Sequence, residues 1–95
     1  MHIGFIGTGK IASSVITGVC NSKIKFKKIL VSPRNRKIAN YLKKRFRKVY
    51  IAKNNQQILD QCNWVFLSVT PNVGNKIIKK LKFRCNQIIV SLIST

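Results

Sequence analysis

The sequence predicts an α/β domain, a doubly wound parallel sheet of about five strands in the order 3-2-1-4-5. Three observations predict it. Short apolar runs alternate strictly with segments of helical periodicity, and the first run passes directly into a glycine-containing turn. The length, 95 residues, is enough for one such core and too short for two domains side by side.

The elements follow in order. Residues 3–6 form an apolar run closed by Gly7, which suits a strand buried on both faces and therefore central. From Lys10 to about Cys20, Ile11, Val15, Ile16 and Val19 recur at helical spacing, and Asn21 and Ser22 supply a polar stop. Ile29, Leu30 and Val31 make a second buried strand that must end at Ser32 and Pro33, because proline cannot donate to a sheet ladder. Residues 34–46 put Ile38, Tyr41, Leu42 and Phe46 on one helical stripe, with Arg36, Lys37, Lys43 and Lys44 outside it. A short third strand over 49–52 and a short helix over 54–60, capped by an asparagine, come next. Residues 64–69 read as a fourth strand, with Trp64 and Phe66 packing on the sheet. After Pro71, Val73, Ile77, Ile78 and Leu81 return to helical spacing, and residues 87–93 close the sheet as a fifth strand.

Composition narrows the function classes. An apolar fraction of 45% and a mean hydropathy of +0.02 belong to a folded chain, and no stretch nears the roughly 20 apolar residues of a membrane-spanning helix. Nineteen Lys and Arg stand against one acid, Asp60, for a formal charge of +18. Such a field attracts anions, whether polyphosphates, nucleic acids or acidic membrane surfaces. Thirteen of those cations lie within residues 23–53. Lys, Ile and Asn also make up 37 of the 95 residues, a bias that AT-rich coding produces without selection for binding. Cys20, Cys62 and Cys85, an odd set at long spacings, suggest neither a disulfide framework nor a metal site. They read as small buried hydrophobes, and a reducing, cytoplasmic location is expected. His2 reads as a surface or edge residue, and no nucleophile–base arrangement assembles around it.

The chemistry concentrates at the end of strand one. Gly7-Thr8-Gly9-Lys10-Ile11-Ala12 is a G-x-G-x-x-A sequence that follows a strand and opens a helix. Gly7 permits the tight turn, Gly9 lets a pyrophosphate approach the backbone, and Ala12 lets the helix lie close on the sheet. Helix N–H groups and the helix dipole then face the phosphates. About 20 residues on, where an acid would hold the ribose 2′-hydroxyl of NAD, the chain reads Val31-Ser32-Pro33-Arg34-Asn35. A hydroxyl and a guanidinium there match a 2′-phosphate, so NADP(H) is the expected cofactor and NAD(H) the weaker one.

These motifs resemble those of the pyrroline-5-carboxylate reductases, which make proline by NAD(P)H-dependent reduction of a cyclic imine. The resemblance runs almost end to end. The Gly-Phe-Ile-Gly-x-Gly core of residues 1–12 is similar to the family's opening, and residues 31–35 to its strand-two end. Asn54-Asn55-Gln56 is similar to the segment that approaches the adenosine ribose, residues 65–71 to the strand-four end, and residues 89–93 to the fifth strand. The resemblance implies a Rossmann-like domain in which Ile6, Gly7, Thr8, Gly9, Lys10 and Ile11 wrap the pyrophosphate. Ser32 and Arg34, with Asn35 beside them, would hold the 2′-phosphate and Asn55 the ribose. Ser68, Val69, Thr70, Pro71, Leu92, Ile93 and Ser94 would border the nicotinamide. The reaction implied is hydride transfer to a C=N carbon, governed by orientation and solvent exclusion.

The chain departs from the family pattern in two places. It has Thr70 where the family usually has Lys, and Ile93-Ser94-Thr95 where the family has small residues of the Ala-Ala-Gly type, an ending whose bulkier side chains would crowd the nicotinamide. The family's helical C-terminal domain, which forms the dimer and much of the imine site, is absent from this sequence. No residue here is therefore assigned as catalytic, none as a metal ligand, and turnover by these residues alone is not expected. Two rival readings stand beside this one: a basic nucleic-acid-binding module, and a non-functional remnant whose fifth strand is an uncovered edge.

Overall fold

The computed structural model describes residues 1–7, 9–69 and 71–92. Five parallel strands, β1 (His2–Ile6), β2 (Lys28–Val31), β3 (Val49–Ile51), β4 (Trp64–Leu67) and β5 (Ile88–Ser91), form one sheet in the order β3-β2-β1-β4-β5. Helices α1 (Lys10–Cys20), α2 (Arg36–Arg45), α3 (Asn55–Gln61) and α4 (Pro71–Lys80) make the crossovers. The expected α/β class, strand order and element sequence are therefore observed.

Alternation along each strand sorts the core onto two faces. Ile3 and Phe5 of β1 join Ile29 and Val31 of β2 and Val49 of β3 beneath α1 and α2, which contribute Ala12, Ile16, Ala39 and Leu42. On the opposite face Ile6, Leu30, Val65 and Leu67 pack with Ile58, Leu59 and Cys62 of the α3 region, and with Ile77 and Leu81 from the α4 side. Gly4 makes this second layer possible. A Cβ built there would collide with Ile58 and come within 2.9 Å of Cys62 Sγ, so α3 lies closer to β1 than any other residue would allow.

Several sequence expectations need correction. Asn35 is not inside α2 but caps it, its side chain accepting from the Ile38 N–H at 3.4 Å, and the helix begins at Arg36 rather than Arg34. Two large residues assigned to helix stripes, Ile11 and Tyr41, are exposed, while Ala12 and Ala39 are fully buried. A helix lying flat on a sheet makes its closest contact through small side chains, which a hydropathy stripe underweights. Trp64 is exposed, whereas Phe66 does pack on the sheet, stacking on Phe5 with centroids 4.8 Å apart. Of the three cysteines only Cys62 is buried: Cys20 is intermediate and Cys85 lies exposed in the loop before β5. Strand four ends at Leu67, two residues earlier than expected, and α4 at Lys80. His2 sits at the start of the central strand, half-buried, where burial and the Lys28 ammonium lower its pKa below 6.5.

Candidate functional site

Because all strands are parallel, their carboxyl ends meet along one edge. Backbone hydrogen bonds extend the ladder one step beyond the strands: Ser32 N–H donates to Phe5, Ala52 N–H to Val31, Ser68 N–H to Ile6 and Leu92 N–H to Leu67. These bonds draw Gly7, Ser32, Ala52, Ser68 and Leu92 into one row. The chain leaves β1 for α1 toward β2, whereas β4 lies on β1's other side, so the switch point of the sheet falls beside Gly7.

Gly7 turns out of β1 with φ at +94°, the only positive φ among the described residues. A Cβ there would overlap the Ser68 carbonyl oxygen and Val69 Cγ1, so Gly7 is fixed both by its conformation and by the approach of the β4 end. Gly9 occupies the cap of α1 in an extended conformation, with no side-chain cap bonded to the first turn and no acid in that turn. Among the described residues, nothing lies within 4 Å of the position its Cβ would take. The junction is thus a tight wall at Gly7 and open space at Gly9, with the first amides of an 11-residue helix at its floor. Ala12, fully buried against β1 and β2, brings the helix down onto the sheet.

One strand over, Ser32 is 2% exposed and is the buried polar residue at the end of β2. Its Oγ accepts the Arg34 N–H at 3.4 Å, which folds residues 32–34 into a turn and leaves Arg34 exposed. Among the described residues no carboxylate side chain stands at this strand end. Asn54 caps α3, accepting from the Gln57 N–H at 2.8 Å. The next residue, Asn55, has a buried Oδ1 that finds no hydrogen-bond partner among the described residues. An orphaned buried amide oxygen costs stability, on the order of 1–3 kcal/mol, unless something outside the chain bonds to it.

The remaining expected positions divide as follows. Ile6 has its side chain in the core and reaches the edge only through its backbone, while Lys10 and Ile11 are exposed at the start of α1. Ser68 and Val69 are half-buried beside Gly7, Pro71 opens α4, and Leu92 follows β5. Thr8, Thr70, Ile93 and Ser94 lie outside the described residues, as does Thr95. Gly4 was not singled out for function, yet it sets the α3 position and hence that of Asn55. Its signal was present as the first glycine of the Gly-Phe-Ile-Gly core. Among the described residues no group of three or more His, Cys, Asp or Glu could hold a metal ion, and no helix is long and apolar enough to cross a membrane.

A parallel 3-2-1-4-5 sheet with an open glycine junction at its switch point defines a Rossmann-like dinucleotide-binding domain. Residues 2–95 match the family model described as NADP oxidoreductase, coenzyme F420-dependent, and the chain belongs to that family. Among solved structures it is similar to 1-pyrroline-5-carboxylate reductase from Streptococcus pyogenes, with 30% identity and a TM-score of 0.79 over 99% of this chain. A diketoreductase shares the fold at 17% identity and a TM-score of 0.73, over 100% of this chain. The chain spans 34% of the first structure's length and 42% of the second's. No curated protein matches it.

Proposed function

We propose that this domain binds NADP(H) in preference to NAD(H), and serves hydride transfer to the carbon of a cyclic imine, as in proline biosynthesis. The observation that carries the reading is the end of β2, where a buried serine hydroxyl and an exposed guanidinium stand in place of the acid that selects NAD. Ser32 and Arg34 would hold the 2′-phosphate, Arg34 through the planar fork of donors that suits phosphate oxygens. The floor of the Gly7–Gly9 junction would take the pyrophosphate, and the orphaned Asn55 Oδ1 would accept from a ribose hydroxyl. Ser68, Val69 and Leu92 stand at the strand ends where the nicotinamide half would lie, with Thr70, Pro71, Ile93 and Ser94 next in sequence.

The bound cofactor supplies the hydride, and the chain supplies orientation and exclusion of water. The match covers 34% of the similar reductase's length, so residues beyond those matched would complete the imine site and these 95 residues by themselves would bind the cofactor without turnover. The free thiols suit a reducing, cytoplasmic setting. Titration of Arg34→Ala with NADPH and NADH tests the reading. The variant is expected to lose about 1.5–3 kcal/mol of preference for NADPH, the scale of a charged hydrogen bond. An unchanged preference would place the 2′-phosphate elsewhere.

A further inference from the structure

The amino edge of the sheet, opposite the dinucleotide junction, carries a second arrangement that the reductase reading leaves unused. The loop entering β2 contains Lys25-Phe26-Lys27, and the passage from α2 into β3 carries Arg45, the last helical residue, then Phe46, Arg47 and Lys48. Each is a phenylalanine flanked on both sides by cations, and the two are 20 residues apart, so their relation is invisible until the sheet places β2 beside β3. There the loops face each other across a groove of about 390 Å³, within the range of roughly 300–1,000 Å³ of small-ligand sites.

Ile24, which is 53% exposed, and the half-buried Phe26 and Phe46 supply its apolar surface, beside Cys20 and Ser22. Its rim is Arg45, Arg47 and Lys48. Lys48 ties the two loops together: its Nζ donates to the Phe26 carbonyl at 3.0 Å and lies 4.9 Å from the Phe26 ring centre. Lys23, Lys25 and Lys27 extend the cationic rim along the exposed loop. Asp60, the one acidic residue in the sequence, is on α3 against the other face, where it accepts from Gln56, so among the described residues no carboxylate side chain neutralises this rim.

A third triplet, Lys82-Phe83-Arg84, enters β5 but is built differently. The Arg84 guanidinium is committed to the carbonyls of Leu59 and Cys62 at the end of α3, at 3.0 and 2.6 Å. That triplet secures a helix terminus. At the β2–β3 groove Arg47 and Lys25 have no such acceptor among the described residues.

The geometry points to a binding groove for single-stranded nucleic acid at the β2–β3 amino edge, its phosphates on Arg45, Arg47 and the lysine rim and an unpaired base against Ile24 and the phenylalanines. Apolar side chains set among cations suit a strand with exposed bases, whereas a duplex hides its bases and offers chiefly phosphates. The same apolar side chains distinguish the groove from a purely cationic surface. Because the groove and the glycine junction lie at opposite edges of the sheet, the strand and the dinucleotide bind independently.

Fluorescence anisotropy with a labelled 12-nucleotide oligouridine, an RNA duplex of the same length and vesicles of phosphatidylcholine with phosphatidylserine tests this. Oligouridine is expected to bind more tightly than the duplex or the vesicles. Three phosphate contacts would weaken its binding about twentyfold between 50 and 200 mM salt. Arg45→Ser with Arg47→Ser should weaken binding about tenfold, while Lys79→Ser with Lys80→Ser on α4, an equal loss of charge, should change it less than twofold. Ile24→Ser should weaken oligouridine binding and leave the salt slope unaltered. Amide chemical shifts, which need no variant, should move in residues 22–27 and 45–48, and saturating NADPH should not displace the strand. Equal affinity for duplex or vesicles, equal loss in both charge pairs, no binding, or shifts confined to residues 7–12 would each overturn the proposal.

Discussion

The two edges of one parallel sheet are built on opposite rules. At the carboxyl edge the turn residues are small: Gly7, Gly9, Ser32 and Ser68 leave backbone groups within reach, and none of the described residues fills the space beside Gly9. At the amino edge the β2 and β3 loops carry long side chains, with Phe26, Lys48, Arg45 and Phe46 packing on each other as well as facing solvent. The difference shows that a charge of +18 is a poor guide to the dinucleotide site. Much of the cationic block in residues 23–53 lies away from the glycine junction, on the amino-edge loops and the outer side of α2. The 2′-phosphate reading rests instead on one residue pair, Ser32 and Arg34.

The sharpest way to break this comparison is at the two glycines of the junction. Gly7→Ala forces a side chain onto a +94° φ and into the Ser68 carbonyl. Chemical denaturation should show a loss of about 3 kcal/mol, the upper end of the cost of a strained backbone position. Gly9→Ala enters open space and should cost under ~1 kcal/mol, the scale of a cap substitution, yet weaken dinucleotide binding at least ~10-fold by filling the approach to the helix amides. Equal effects of the two on stability would remove the distinction between wall and opening.

Asn55 gives a smaller effect with an informative sign. Asn55→Ala removes an unpartnered buried oxygen, so the domain without cofactor should gain about 1 kcal/mol. Its affinity for the dinucleotide should fall at the same time. A loss of stability would mean that the oxygen is satisfied within the chain.

The thiols test the same contrast between packed and open regions. Burial pushes the Cys62 thiol up to about 11, while Cys85 is exposed. At pH 8 a disulfide reagent should modify Cys85 rapidly and Cys62 only after unfolding. Folding favours the neutral Cys62 thiol. Its contribution is therefore complete below the unfolded value of 9.0 and is lost as pH rises toward about 11, where urea midpoints should fall. Cys62→Ala should flatten that decline.

What the sequence disclosed and what it concealed follow from the range of the interactions. Strand order was legible because strict alternation and right-handed crossovers leave few topologies. The glycine junction was legible because its chemistry is local, three small residues within six positions. Helix faces were misread at Ile11 and Tyr41 because the closest helix–sheet contacts fall on alanines. Trp64 and Cys85 were misplaced because hydropathy does not report which sheet face a helix covers or where a loop lies. The β2–β3 groove was illegible because its two loops meet only after the strands pair. The loss of α2's first two positions to an asparagine cap is a local effect, and Asn35 carried that signal in its residue type.

The most direct measurement is a paired fluorescence titration of the unmodified domain with NADPH and NADH at one salt concentration. NADPH is expected to bind at least ~10-fold more tightly, since one charged hydrogen bond to the 2′-phosphate supplies about 1.5–3 kcal/mol. Equal affinities, or tighter binding of NADH, would contradict the assignment of Ser32 and Arg34 and the cofactor reading built on them.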